Sequence, residues 1–196
     1  MVHLKFKKSS RMDPKSEELL LESARKGDEK SFMLLFENHQ KTVFRFAYRM
    51  VGSETVAQDL AQECFLSLLQ SRVHFNGNRA SLKTYLYGMV RNMARRHFRR
   101  SGMEISLDDC DEPPAPMIGE ENVLQQEISA TVQRAIARLP LLQREALLLF
   151  EYEDLSLDEI ARILEIDAGT VKSRLYRARE NLRRMLASYS NAEERG

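Results

Sequence analysis

A chain of 196 residues that is 43% hydrophobic and 30% charged can bury one medium core or two small ones, and 30 basic against 29 acidic side chains leave a formal net charge of +1. Two cysteines, Cys64 and Cys110, with no Cys/His spacing of a metal site, imply no disulfide framework, no structural metal and a reducing cytosol. No apolar run approaches the roughly 20 residues needed to cross a bilayer, and the start MVHLKFKKSSRM has charge without a signal peptide's apolar core, so the expectation is a cytoplasmic protein without direct membrane insertion.

Residues 1–19 read as a basic, disordered arm. Asp28 is placed to cap a helix whose apolar positions Phe32, Leu35, Phe36, Val43, Phe46 and Ala47 follow three- and four-residue steps, and Gly52 marks its end. A second helix, Glu54 to Ser71, sets Val56, Leu60, Cys64 and Leu68 on one stripe and Asp59, Gln62, Glu63 and Leu66 on another. The turn FNGN, Phe75 to Asn78, leads into a third helix from Ala80 to Arg100, carried by Leu82, Tyr85, Leu86, Met89 and Met93. Three helices around one core are expected to make a first domain, 20–102.

From 103 to 121 the periodicity collapses, and DDCDEPPAPMIGE combines acids with three prolines, the composition of a flexible acidic linker. A second domain is expected over 122–188, with 189–196 as a tail. It opens on a helix with Leu124, Ile128, Val132, Ala135 and Leu139 in step, broken by Pro140, which begins another helix through Phe150. Alternating or Val/Thr-rich runs are missing, so the fold class is all-α: two small helical domains joined by the linker. The near-zero net charge hides segregation, because Arg91 to Arg100 and Lys172 to Arg184 are dense in arginine while Glu104 to Glu127 is acidic.

Ser156 followed by Glu159 is a capping box, which starts a helix at Leu157 with apolar face Ile160, Ala161 and Leu164. The turn Glu165 to Asp167 follows, with Ile166 to plug the angle and Asp167 to cap the next helix; the pattern is a helix-turn-helix. In the second helix Val171, Leu175, Ala178, Leu182 and Leu186 face the core, leaving Thr170, Ser173, Arg174 and Arg177 on the opposite stripe, flanked by Lys172 and Arg179. A helix about 10 to 12 Å wide fits the DNA major groove, where arginine reads guanine edges and short hydroxyls reach bases or phosphates.

At these residues the chain resembles a known family. GTVKSRLYRAR, Gly169 to Arg179, with LPLLQREALLLFEYEDLSLDEIA before it, is similar to the promoter-binding C-terminal domain of extracytoplasmic-function sigma factors of the sigma-70 family. ARKGDEKSFMLLFENHQKTVFRFAYRMVG, AQDLAQECFLSLL and FNGNRASLKTYLYGMVRNMARRHFRR resemble that family's N-terminal domain in order and spacing. Tyr85 stands where the family usually has tryptophan, and EIDAGTV lacks the proline often found before the glycine.

The resemblance implies a sigma subunit without enzymatic chemistry, cofactor or metal. Its partners would be core RNA polymerase, through the β′ clamp helices and the β flap, and promoter DNA, with an anti-sigma factor as a candidate regulator. It assigns polymerase binding to Asp59, Gln62, Glu63, Phe65 and Leu66, where acids and amides can pin register beside apolar anchors. It assigns capture of the minus-ten element to Asn76, Asn78 and Asn92, which can hydrogen-bond an extruded base, and to Arg91, Arg95, Arg96, Arg99 and Arg100, which can track phosphates. The minus-thirty-five element falls to Thr170, Lys172, Ser173, Arg174, Arg177 and Arg179. Two other functions remain open from the residues alone. One is a stand-alone helix-turn-helix regulator, which needs no polymerase stripe. The other is a helical nuclease using Asp108, Asp109 and Asp111, which sit in a segment without rigid support.

Overall fold

The computed structural model describes residues 13–71, 75–77, 80–102, 131–153 and 155–193, with side chains through residue 187, and among them there is helix and connecting segment but no strand. The all-α expectation holds. The acidic linker, 103–121, lies outside the described residues.

Four helices, not three, build the first domain. Helix α1 (Pro14–Arg25) opens on proline, whose missing amide would be an orphan there anyway. Residues 14–19 of the expected arm therefore belong to the folded domain. The buried stripe of α1 is Glu17, Leu21 and Ala24. A carboxylate at its head conceals the stripe from any reading based on hydrophobic period.

Helix α2 (Glu29–Val51) starts where expected: Asp28 accepts the Lys30 amide at 3.2 Å and the Ser31 hydroxyl at 2.6 Å, bonds that hold its carboxyl below the ordinary value. It stops at Gly52, whose left-handed φ of 74° lets its amide reach Tyr48 O at 2.8 Å. Helix α3 (Glu54–Gln70) is capped by Ser53 and helix α4 (Leu82–Arg100) by Ser81, which accepts the Thr84 amide at 3.2 Å. The far end of α3 is closed from α1, as Arg25 Nε and Nη2 donate to Leu68 O at 3.2 and 2.9 Å.

The second domain contains α5, described over 131–137, then α6 (Leu141–Glu151), α7 (Leu157–Leu164) and α8 (Ala168–Glu193). The α8 backbone stays helical into the expected tail, as far as Glu193. Pro140 occupies the N-cap of α6. Every residue from Leu141 to Leu149 is buried, which is the signature of a central helix. Helices α2, α7 and α8 all pack on α6, and α7 packs on α4, so the apolar cores of both domains merge into one cluster.

Within that cluster Cys64 of α3 is fully buried, its Sγ 3.9 Å from Leu86 O. Desolvation, then the charge of Glu63, pushes its thiol up to about 12. Alkylation of the native protein at pH 8 is expected to leave Cys64 unmodified while denatured protein is modified rapidly, a contrast that peptide mass spectrometry reads directly.

Candidate nucleic-acid interfaces

Helix α7 is held by the full capping box: the Glu159 amide donates to Ser156 Oγ at 3.3 Å and the Ser156 amide to Glu159 Oε2 at 2.9 Å. It ends at Glu165, the one described non-glycine residue at positive φ, 57°. Asp167 then caps α8, accepting the Thr170 amide at 2.8 Å and its hydroxyl at 2.6 Å, and these bonds keep its carboxyl low. Gly169 makes room for that carboxylate, because a Cβ there would lie 2.9 Å from Asp167 Oδ1. Val171, Leu175 and Ala178 are buried as expected, Ile166 packs against the core, and Lys172, Ser173, Arg177 and Arg179 are exposed. Tyr176, 68% exposed between Lys172 and Arg179, joins this surface unforeseen. Arg179 is tied back, 2.7 Å from Glu151 and over the Phe150 ring at 5.3 Å.

On the first domain, Asn92, Arg96, Arg99 and Arg100 are exposed and Arg95 is half-buried. Arg95, Arg96, Arg99 and Asn92 line a groove of about 880 Å³ together with Met89, Met93, Ser67 of α3 and Leu142 of α6 from the second domain. A lining of cationic and apolar side chains suits a single strand, with phosphates at the arginines and bases at the apolar groups. Asn76 is exposed on the turn before α4, and Phe75 is buried against Tyr85, ring centroids 5.7 Å apart. Asn78 lies outside the described residues.

The second stripe of α3 emerges as expected at Asp59, Gln62, Glu63 and Leu66, with Leu66 58% exposed. Phe65 does not join them. It is 3% exposed and meets Phe36 edge-on at 4.9 Å, so it is a core residue that supports the stripe and not part of its contact surface. Glu63 also lies 3.6 Å from Arg96, an exposed pair that links the α3 stripe to the α4 groove.

Arg91 departs from expectation most. It is 4% exposed and turned toward the second domain: Nε donates to Glu145 Oε2 at 3.2 Å, Nη1 to Ile163 O at 3.1 Å and Nη2 to Leu164 O at 3.3 Å. It thereby caps the C-terminus of α7 from another domain. Glu145, 0% exposed, also lies 3.6 Å from Arg95 and attracts Arg174 of the recognition helix. Burial pushes its carboxyl up, against the downward pull of Arg91, Arg95 and Arg174. Two arginines assigned to the minus-ten element thus pair with one buried carboxylate of the second domain.

Two further buried polar groups join the domains. Arg144, pulled down to about 10 by burial, donates to Met50 O at 2.6 Å and Leu139 O at 3.0 Å, and also to Ala137 O. Glu153 accepts the Tyr87 hydroxyl and lies 3.0 Å from Lys83 and 3.9 Å from Arg49. Sequence reasoning missed Tyr87, Arg144, Glu145 and Glu153. The signal available was QRE, Gln143 to Glu145, interrupting an otherwise apolar run from Leu141 to Phe150.

A capped helix-turn-helix with a basic outward face, joined to a helical domain with an arginine-rimmed groove, defines a two-domain DNA-binding protein of the transcription machinery. Residues 35–103 match the family described as Sigma-70 region 2, and residues 129–182 match Sigma-70, region 4. The chain belongs to the sigma-70 family. Within it the chain is similar to sigma factors of the extracytoplasmic-function group, including SigW of Bacillus subtilis, 30% identical over 177 residues that cover 85% of this chain and 94% of that one. The sigma-E factor of Escherichia coli is 34% identical over 84% of this chain and 91% of its own. The RNA polymerase sigma-H factor of Pseudomonas aeruginosa is 33% identical over 85% and 92%. Two solved structures share the fold. CnrH, bound to the cytosolic domain of CnrY, has a TM-score of 0.66 at 18% identity, covering 88% of this chain and 98% of that one. RpoE of Bartonella quintana, bound to the anti-sigma factor NepR, has a TM-score of 0.62 at 24% identity, covering 81% and 98%.

Because Glu153 is ringed by Tyr87, Lys83 and Arg49, Glu153→Lys sets three cations together where an anion was. The variant is expected to keep its helical circular dichroism and to expand by several ångströms in radius of gyration in small-angle scattering, as a buried contact between domains is broken.

Proposed function

We propose that this sigma factor binds core RNA polymerase through the Asp59, Gln62, Glu63 and Leu66 face of α3 and reads a promoter at two places. The observation that carries this is the presence in one chain of that acid, amide and leucine stripe, exposed on α3, with two basic nucleic-acid faces on α4 and α8. A stand-alone regulator would need the recognition helix but not the stripe. The family membership sets that alternative aside. The protein acts by binding, without covalent chemistry, where polymerase and chromosome are, in the cytoplasm; no described helix is long and apolar enough to cross a membrane.

In this reading Lys172, Ser173, Arg174 and Arg177 enter the major groove of the minus-thirty-five element, with Thr170 beside the helix start and Arg179 at the flank. The α4 groove, with Asn92, Arg95, Arg96, Arg99 and Arg100, takes the displaced strand of the minus-ten element, and the extruded base is assigned to Asn76 and to Asn78, which lies outside the described residues. The two elements lie some 25 base pairs apart, about 85 Å at 3.4 Å per pair. Arg91 and Arg95 cannot serve the minus-ten element while paired with Glu145 of the second domain, so in this reading the described arrangement is the closed form, and promoter engagement separates the domains. An anti-sigma factor is a candidate partner, as RpoE of Bartonella quintana is bound to one.

Two measurements test this. Wild-type protein is expected to co-elute with sigma-free core polymerase on a sizing column and Asp59→Arg with Glu63→Arg to abolish it; retained co-elution of the double variant removes the stripe from the interface. Glu145→Gln withdraws the charge that occupies the arginines. In the absence of polymerase its affinity for a minus-thirty-five duplex is expected to rise about tenfold, or about 1.4 kcal/mol, by fluorescence anisotropy.

A further inference from the structure

Helix α1 lies outside residues 35–103, the segment that matches region 2, and is joined to the rest of the domain by more than apolar packing. Two consecutive carboxylates on it, Glu17 and Glu18, reach opposite ends of the turn that precedes α4. Glu18 Oε2 accepts the Gly77 amide at 3.2 Å. Glu17 Oε2 accepts the Leu82 amide at 3.3 Å, one of the amides that the start of α4 leaves without an intrahelical partner. The other oxygen of Glu17 is 2.8 Å from His39 Nε2 on α2, so the carboxylate is pinned from two sides and buried. Between these bonds the Pro14 carbonyl sits so close to Gly77 that a Cβ there would come within 2.7 Å of its oxygen. Gly77 in the turn and Leu82 at the start of α4 are thus held from α1 while Asn76 is exposed.

Carboxylates are poor neighbours for a site that must receive a polyanion, since each repels phosphate. Their presence beside such a turn is accounted for if they are spent on backbone amides. A base-capturing group on a loop must be held to within about half an ångström, and loops achieve that only with a supporting shell. We propose that Glu17 and Glu18 are positioning residues for capture of the extruded minus-ten base, and that glycine at 77 is required so that α1 can press against the turn. This rests on the reading above that the turn takes that base.

The test uses holoenzyme reconstituted from core polymerase and full-length sigma variants, on a promoter library randomised across the melted segment. Permanganate reactivity of unpaired thymines reports opening, and sequencing of opened templates reports base preference. Glu18→Ala and Gly77→Ala are expected to reduce opening of the preferred promoters at least tenfold and to flatten base preference, with core co-elution and minus-thirty-five duplex binding unchanged. Glu18→Gln, which keeps an acceptor oxygen, is expected to restore most of both. Wild-type preference in Glu18→Ala and Gly77→Ala, alongside lost preference in Asn76→Ala, overturns the positioning role and leaves the capture turn intact. Unchanged preference in Asn76→Ala as well overturns the capture reading and the positioning role with it. Loss of core co-elution by Glu18→Ala together with opening, unrescued by Glu18→Gln, would make the contacts structural only and equally overturn the proposal.

Discussion

A carboxylate removed from water must be surrounded by cations or lose its charge, and Glu145 is removed from water completely. Its own domain does not supply the paired cations. Glu145 is on α6 of the second domain and both arginines paired with it, Arg91 and Arg95, come from α4 of the first, so neutralising Glu145 requires the domains to meet. Both arginines belong to the set assigned to nucleic acid from the sequence. In the proposed function Glu145 therefore takes the place a phosphate would take, and domain closure would compete with DNA for the same side chains.

A second regularity makes that closure specific. Four helices have their C-terminal carbonyls satisfied by an arginine from elsewhere: α3 by Arg25, α2 and α5 by Arg144, and α7 by Arg91. The contacts to α2 and α7 cross between domains. Such contacts add directional bonds to a shared apolar core, and every group in them regains water when the domains part. A seam of this kind is better suited to reversible opening than a wholly apolar one, in which separation exposes surface that nothing else satisfies.

The helix-turn-helix was legible because everything that specifies it is local. The capping box at Ser156, the Asp167 cap and the spacing of Val171, Leu175 and Ala178 each involve residues within two turns of one another, and each is seen as read. Asp28 and Gly52 bounded α2 for the same reason. Helix α1 escaped because its buried stripe is led by Glu17, whose burial depends on His39 and the Leu82 amide, far away in the chain. Phe65 and Leu66 are neighbours on α3, and period alone leaves both near the edge of the apolar face. Phe36, on another helix, is what covers the first and leaves the second open.

The sequence by itself determined the all-helical class, the order and caps of most helices, the recognition stripe on α8 and the acid, amide and leucine face of α3, because these follow from residues three or four apart. Only the tertiary structure decided that Arg91 turns inward, that Glu17, Arg144, Glu145 and Glu153 are buried, and that the two domains share one core. Whether a charged side chain is inside is settled by partners dozens of residues distant, and no local pattern carries their positions.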